Sequence, residues 1–592
     1  MKNAFFYCLI FILGFVSLIN GNEINLLRTK IQKVEELALE AREKYHLPGL
    51  AIAVVSQGKP VFQKGYGLRD IENELPVTPE TVFAIGSMTK AFTTFTLATL
   101  VQEGKIAWDD KVISHLPDFR LKDDYVTRNL TIRDLVTHQS GLPRHDLVWY
   151  LTEESSADLY LKLQHLEPVT GFREKFNYQN LMYMVAGKII EKTTSEKWEN
   201  VTTKRVITPL EMTQTSFSIP DLIASKEYAL PYVDEEKSFK NIPYHSLSNV
   251  SPAGCINSTI LDLSNWMQVL LGFGQFGEKN ILSTPHAKEL MTPQTLASLF
   301  LSRFPESNDE FFEAYGLGWF IQSFRGHYLV SHGGGIDGFT SNLAFLPLDN
   351  LAVVVLTNKG TMTPYHLTKA ILDVFLEVEE EKIWLEEETL PDVNELEKET
   401  FPAKEGTSPS HLLDQYSGVY ENPGYGKLEI TYIDGELKGE YQGIPLELSH
   451  LHYDIFKAKG ITSIFPLNIS LSFEGDLYGN IKQVTVPFQL EGHDVTFVKC
   501  VKSSLFDLDY LKTFAGTYSI ETIEIELFIE ADKLKALVPG QPVYELIPKA
   551  RESFSIKGYD NIRFQFEMAN PLTVEAVKII QPQGTFKAIR IN

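Results

Sequence analysis

Two kinds of apolar spacing alternate along the first part of the chain. Ala51-Ile52-Ala53-Val54-Val55 is a short continuous apolar run, followed by the polar Ser56-Gln57-Gly58-Lys59 and then by Val61-Phe62. This pattern predicts a strand, a tight turn and a returning strand. Tyr328 to Ser331 and Leu351 to Leu356 read as further strands. Ala91 to Val101 is rich in Phe and Leu and stops at Gly104, as a helix C-terminus does, and Leu181 to Ile190 is a second helical run. Strands at both ends with helices between them predict a mixed α/β domain over residues 22–376, an antiparallel sheet with helices packed on it.

The pattern then changes twice. Residues 377–410 lack apolar periodicity; from Glu377 to Glu399 there are eleven acids against two lysines, and the stretch ends in Gly406-Thr407-Ser408-Pro409. This reads as an acidic helix tail running into a linker. Beyond it the sequence repeats. LDQYSGVY from Leu413 is echoed by LKTFAGTY from Leu511, Gly443-Ile444-Pro445-Leu446 by Gly540-Gln541-Pro542-Val543, and Phe456 to Gly460 by Phe554 to Gly558, a period of about 98 residues. Both copies are dense in short alternating stretches such as Lys427-Leu428-Glu429-Ile430-Thr431. Two small all-β, barrel-like domains are expected, over 411–505 and 506–592. Neither copy gathers His, Cys and carboxylates, so no chemistry is assigned to them.

Composition narrows the function. At 592 residues the chain is long enough for about three to four domains. Its net charge of -23 argues against a nucleic-acid partner, which needs a basic face. Lys2 and the apolar run Phe5 to Ile19, ending in Asn20-Gly21-Asn22, read as a secretory signal peptide over 1–21. That run is too short for a membrane-spanning helix, and no second long apolar segment follows, so a secreted or periplasmic protein without an integral membrane span is expected. Cys255 and Cys500 are the cysteines left after such a leader, too few for a disulfide framework. Asn129, Asn200, Asn249, Asn257 and Asn468 lie in glycosylation sequons.

The chemistry centres on FAIGSMTKAF, residues 83–92. A spacing of three sets Lys90 over Ser87 on one helical face. A serine at a helix start is an ordinary cap, but a cap leaves the cation in the first turn unexplained, because it opposes the helix dipole. A serine hydroxyl becomes a nucleophile when a base stands beside it. Ser56 to Lys59 has the same spacing in a hairpin turn, where it carries no such meaning. Tyr178-Gln179-Asn180 precedes a helix within the α/β part, whereas Tyr420-Glu421-Asn422 and Tyr559-Asp560-Asn561 lie in the β repeats. His332-Gly333-Gly334-Gly335 directly follows a predicted strand, and its glycines let backbone approach a ligand closely.

In this order, the serine-x-x-lysine, tyrosine-x-asparagine and basic-x-glycine set resembles the class C β-lactamase family and its penicillin-binding and esterase relatives. Thr131 to Pro143, Pro209 to Thr213 and Tyr315 to Trp319 support the likeness, which covers about residues 25–375. The β repeats resemble the lipocalin-like barrels appended to some of these hydrolases. The resemblance implies a serine β-lactamase-like fold with a helical subdomain, and roles for individual residues. Ser87 would be the acylated nucleophile. Lys90 and Tyr178 would share the general-base work. Asn180, His332 and Gly334 would bind substrate, and the backbone N–H groups of Ser87 and Gly335 would form the oxyanion hole. His138 reads as structural. Ionising a tyrosine near pH 7 costs roughly 4 kcal/mol, which an ammonium about 4 Å away can nearly supply, so Lys90 and Tyr178 should titrate as a pair. No metal or organic cofactor is implied. Where the β-lactamases carry lysine-threonine-glycine, this chain has His332-Gly333-Gly334; a mostly neutral histidine turns the expectation toward esters, small amides or peptides, of esterase, D-aminopeptidase or carboxypeptidase type. The rival readings are a β-lactamase or penicillin-binding protein, and a non-catalytic binding protein working through its β repeats.

Overall fold

The computed structural model of this chain describes residues 24–235, 238–298, 312–378, 403–461, 466–477, 479–489, 493–500, 505, 507–570 and 573–591. The leader expected over 1–21 and nearly all of the acidic stretch after Glu377 lie outside them. Nine strands form the main sheet: β1 (Gly49–Ser56), β2 (Lys59–Asp70), β3 (Leu75–Pro76), β4 (Thr295–Ser298), β5 (Glu313–Tyr315), β6 (Phe320–Phe324), β7 (His327–Ile336), β8 (Phe339–Leu346) and β9 (Leu351–Thr357). Their order is β4-β5-β6-β7-β8-β9-β1-β2-β3, antiparallel throughout. The two halves of the sheet, far apart in the chain, join where Val54 faces Val353.

The continuous apolar run of β1 has a physical cause: both faces of the sheet are covered. Leu50, Ile52 and Val54 pack with Val34, Leu37 and Ala41 of the helix over 24–44 (α1) and with Leu367 and Ile371 of α5 (Thr363–Leu376). Ala51, Ala53 and Val55 point the other way, into the core shared with helices α2 (Thr89–Gln102), α3 (Asn180–Thr194) and α4 (Ile260–Leu271). α2 is buried on every side from Thr89 to Leu100. Its threonines satisfy their hydroxyls on backbone carbonyls, Thr96 on Phe92 at 2.8 Å and Thr93 on Pro252 at 2.7 Å. That leaves Lys90 as the charged side chain of a wholly enclosed turn.

The repeats form two closed antiparallel barrels of eight strands each. The first runs from Gly418–Asn422 to Val495–Lys499 and closes where Tyr420 faces Lys499. The second runs from Gly516–Ile520 to Gly584–Arg590 and closes where Tyr518 faces Arg590. Cys255 and Cys500 are both free thiols. Among the sequons, Asn249 and Asn257 are buried, which bars a glycan there in the folded chain. Among the described residues no helix is long and apolar enough to cross a membrane.

Candidate active site

A single-turn 3-10 segment, Gly86–Met88, delivers Ser87 directly into α2. Gly86 takes φ +51, and a Cβ there would lie 2.9 Å from the backbone nitrogen of Gly335. Glycine therefore permits both the left-handed turn and the close approach of two backbones. Lys90 is fully buried. Its Nζ is 3.0 Å from Ser87 Oγ, 2.8 Å from Asn180 Oδ1 and 2.9 Å from the Ala253 carbonyl, and it sits 4.7 Å from the ring centroid of Tyr178 and 5.3 Å from that of Tyr183. The Asn180 oxygen and the Ala253 carbonyl can only accept. They engage two N–H groups of the amine, so in the neutral form its lone pair is left facing Ser87 Oγ.

Tyr178 completes the cluster, its hydroxyl close enough to Ser87 to influence its ionisation. The Tyr178 ring lies against that of His138, centroids 4.4 Å apart, and the Gln179 N–H donates to His138 Nδ1 at 3.0 Å. His138 therefore braces the segment that carries Tyr178. Burial moves the two ionisable partners in opposite directions: it holds Lys90 well below an ordinary amine and pushes Tyr178 well above an ordinary phenol. The expectation of shared base work weighed the attraction between the two groups but not their loss of water. Burial of both groups favours a neutral amine on Lys90 and a protonated phenol on Tyr178.

The third wall is β7. β6 pairs with it only as far as Ser331, so residues 332–336 present an unpaired backbone edge on that side, and the turn bearing Ser87 packs there. A Cβ on Gly334 would stand 1.9 Å from the Ile85 carbonyl, and one on Gly333 would stand 2.0 Å from Tyr365 Oη; a Cβ on Gly335 would meet nothing within 4 Å. Gly335 thus borders open space beside Ser87, while Gly334 serves the packing of strand on turn. His332 is buried, and burial pushes it down to about 3. Its Nδ1–H donates to the Gly333 carbonyl at 2.6 Å and its Nε2 accepts from Tyr315 Oη at 3.0 Å. With both nitrogens bonded within the protein, it presents no free ring donor in this arrangement. Asn180 is likewise engaged at both ends, its Oδ1 on Lys90 and its Nδ2 on Asp146 Oδ1 at 3.1 Å. It positions the lysine, and its amide nitrogen keeps a second N–H beyond the one given to Asp146.

A family model described as Beta-lactamase matches residues 33–376. The chain belongs to the beta-lactamase family. A second model, a domain of unknown function, matches residues 402–499 and so falls on the first barrel. Among curated relatives, an unguisins hydrolase of Aspergillus campestris is 31% identical over 68% of this chain and 78% of its own length. A second unguisins hydrolase, from Aspergillus violaceofuscus, is 27% identical over 74% of this chain and 86% of its own length. Protein flp of Staphylococcus aureus is 30% identical over 55% of this chain and 63% of its own. The structure of an octameric penicillin-binding protein homologue from Pyrococcus abyssi superposes with a TM-score of 0.53 at 23% identity, covering 79% of this chain and all of that one, which shows a shared fold.

Within this family fold, two residues of the site escaped the sequence reading. Asp146 accepts from Trp149 Nε1 at 3.0 Å, from Asn180 Nδ2 and from Arg144 Nε. The Arg144 guanidinium lies 5.1 Å from the Tyr178 ring centroid. Both come from the segment after Gly141-Leu142-Pro143, whose only signal was an Arg-His-Asp run directly following the family-like stretch.

Proposed function

We propose that this protein is a serine hydrolase that cleaves esters or small amides and peptides through an acyl-enzyme on Ser87. Neutral Lys90 takes the Ser87 proton as Oγ attacks the substrate carbonyl. The Ser87 and Gly335 backbone N–H groups face the carbonyl oxygen as it gains charge, a contribution of about 3–4 kcal/mol for each such donor. The phenol of Tyr178 passes its proton to the leaving oxygen or nitrogen and is reprotonated by the Lys90 ammonium. Water then attacks the acyl carbon and passes its proton by way of the Tyr178 oxygen to neutral Lys90; the carbon–Oγ bond breaks, the Lys90 ammonium returns the proton to Ser87 Oγ, and the acid leaves. Protons and bonds balance over the cycle with no further reactant.

One observation carries this reading: the Lys90 Nζ is fixed by the Asn180 oxygen and the Ala253 carbonyl so that its remaining position meets Ser87 Oγ at 3.0 Å. The absence of a free cationic donor on β7 favours esters and small amides over β-lactams, and the hydrolase names of the fungal relatives accord with it. The test is covalent labelling by a serine-directed phosphonate. The wild-type chain should label at one site with loss of activity, and Ser87→Ala should not label. Equal labelling of both proteins, or none of either, ends the proposal.

A further inference from the structure

We infer, on the acyl-serine reading above, that Arg144 selects substrates whose leaving group carries a carboxylate. Its guanidinium stacks 5.1 Å from the Tyr178 ring centroid, and its side chain is 56% exposed. The planar group is used on one face by the ring and on one edge by Asp146, which takes its Nε–H. Among the described residues the two terminal amino groups have no protein partner. They form the fork that pairs with a carboxylate through two parallel hydrogen bonds.

The surroundings leave this task to Arg144. Asp146 lies close by, but its oxygens are directed inward onto Trp149 and Asn180 as well as onto Nε of Arg144. Lys90 is enclosed, with its amine on Ser87, Asn180 and Ala253. His332, on the facing wall, has both nitrogens bonded within the protein. The side follows from the chemistry. Tyr178 lies beside Lys90, which contacts Ser87, and hands its proton to the leaving atom, so whatever is attached to that atom lies over Tyr178 and next to Arg144.

Two matched ester pairs test this. The first, 3-acetoxybenzoate against 3-acetoxybenzamide, places the charge on the leaving group. The second, 4-nitrophenyl hemisuccinate against 4-nitrophenyl butyrate, places it on the acyl group. Arg144→Gln should lower the kcat/KM ratio of the first pair about ten- to a hundredfold, the size of one charged hydrogen-bonding contact, and leave the ratio of the second pair in place. Arg144→Lys, which keeps the charge but not the fork, should lower the first ratio less. A first ratio unmoved by Arg144→Gln, or an effect confined to the acyl pair, overturns the inference. Binding of 3-hydroxybenzoate against 3-hydroxybenzamide to Ser87→Ala, by calorimetry, supplies a readout without turnover: the acid should bind more tightly, and the preference should vanish when Arg144→Gln is added. Discrimination in binding with no ester turned over would sink the acyl-serine reading alone, and turnover without discrimination would sink the role of Arg144 alone.

Discussion

The two barrels share a repeat, a strand number and an internal anchor, yet they relate differently to the rest of the protein. In the first, Tyr420 Oη donates to the Tyr416 carbonyl at 2.6 Å and Lys499 lies 5.5 Å from its ring; in the second, Tyr518 Oη donates to the Phe514 carbonyl at 2.9 Å and Arg590 lies 5.9 Å from its ring. The cores differ. That of the first barrel is continuous with the core of the α/β part, whereas that of the second is a cluster of its own. Two tyrosines make the difference. The first hairpin, closed between Asn422 and Gly426, carries Pro423-Gly424-Tyr425, and the second, closed between Ile520 and Ile523, carries only Glu521-Thr522. Tyr441, opposite Leu428, has Val538 near the corresponding place. Tyr425 Oη is 2.6 Å from His145 Nδ1, and Tyr441 Oη donates to the Leu147 carbonyl at 2.9 Å. These contacts grip the segment that holds Arg144 and Asp146. A fold by itself assigns a barrel no role; two rings at one end make the first barrel a support for the active site.

The strongest way to break this comparison is by truncation. A chain ending at Cys500 loses the second barrel and should keep its hydrolytic rate within about twofold, because independent sites are nearly additive. A chain ending near Leu385 also strips the first barrel from a shared core. It should lose activity about a hundredfold or more, and aggregate through the apolar surface laid bare. Equal activity of the two truncations would place the first barrel with the second. Next in size is a pair of matched substitutions. Tyr441→Ala and Tyr518→Ala each empty a fully buried ring site, so each should cost about 3–5 kcal/mol. Calorimetry should show both losses, but only Tyr441→Ala should lower kcat, since only that ring holds the segment beside Asn180.

How far the sequence disclosed this arrangement depended on the range of each interaction. Ser87 and Lys90 are three residues apart, and helical spacing alone brings them together. The sheet was legible in the runs at Ala51 and Leu351 because burial on both faces leaves continuous apolar stretches. The barrels were legible in alternation and repeat. The desolvation of Tyr178 was not, because rings packed near it come from His138 and His332, distant in the chain. The engagement of Asn180 by Asp146 was hidden for the same reason. Nor does alternation tell which aromatic at a barrel end, Tyr425 or Tyr432, is covered by another domain; Tyr432 is 45% exposed and Tyr425 is buried.

Acid gives a smaller and more local perturbation. His145 Nε2 donates to the Glu167 carbonyl at 3.0 Å, so Nδ1 is the acceptor for Tyr425 Oη, which in turn accepts from Gln489 Nε2 at 2.7 Å. A second ring proton would set donor against donor. Burial, the main cause, lowers His145 to about 4, with Asp146 opposing it. The unfolded chain, with histidine near about 6.5, therefore binds the extra proton first. Stability of the dock is complete above about pH 6.5 and falls as pH drops toward about 4, by roughly 3 kcal/mol. A cavity of about 450 Å³ beside the dock, lined in part by His165, Glu167 and His493, gives protons a path. The protection of the 143–150 segment against hydrogen exchange, taken relative to the intrinsic rate at each pH, should fall over that pH range, and strands of the second barrel should not follow.

Tyr425→Phe isolates the hydroxyl from the ring. The substitution keeps the packing on Phe488, whose ring centroid is 5.7 Å away, and removes the donor to His145 Nδ1 and the acceptor for Gln489. A buried acceptor left without its partner costs about 1–3 kcal/mol, and part of that loss returns if His145 rotates toward the cavity. The expected signature is therefore a modest fall in thermal stability together with a steeper dependence on acid, because His145 no longer has a hydroxyl fixing its neutral form. The kcat should fall severalfold through the looser hold on Asp146 and hence on Asn180, with the Ser87 phosphonate label still forming. If kcat and labelling rate both stay at wild-type values while stability drops, the first barrel acts as a staple for the fold and the grip on the active-site segment has no catalytic consequence.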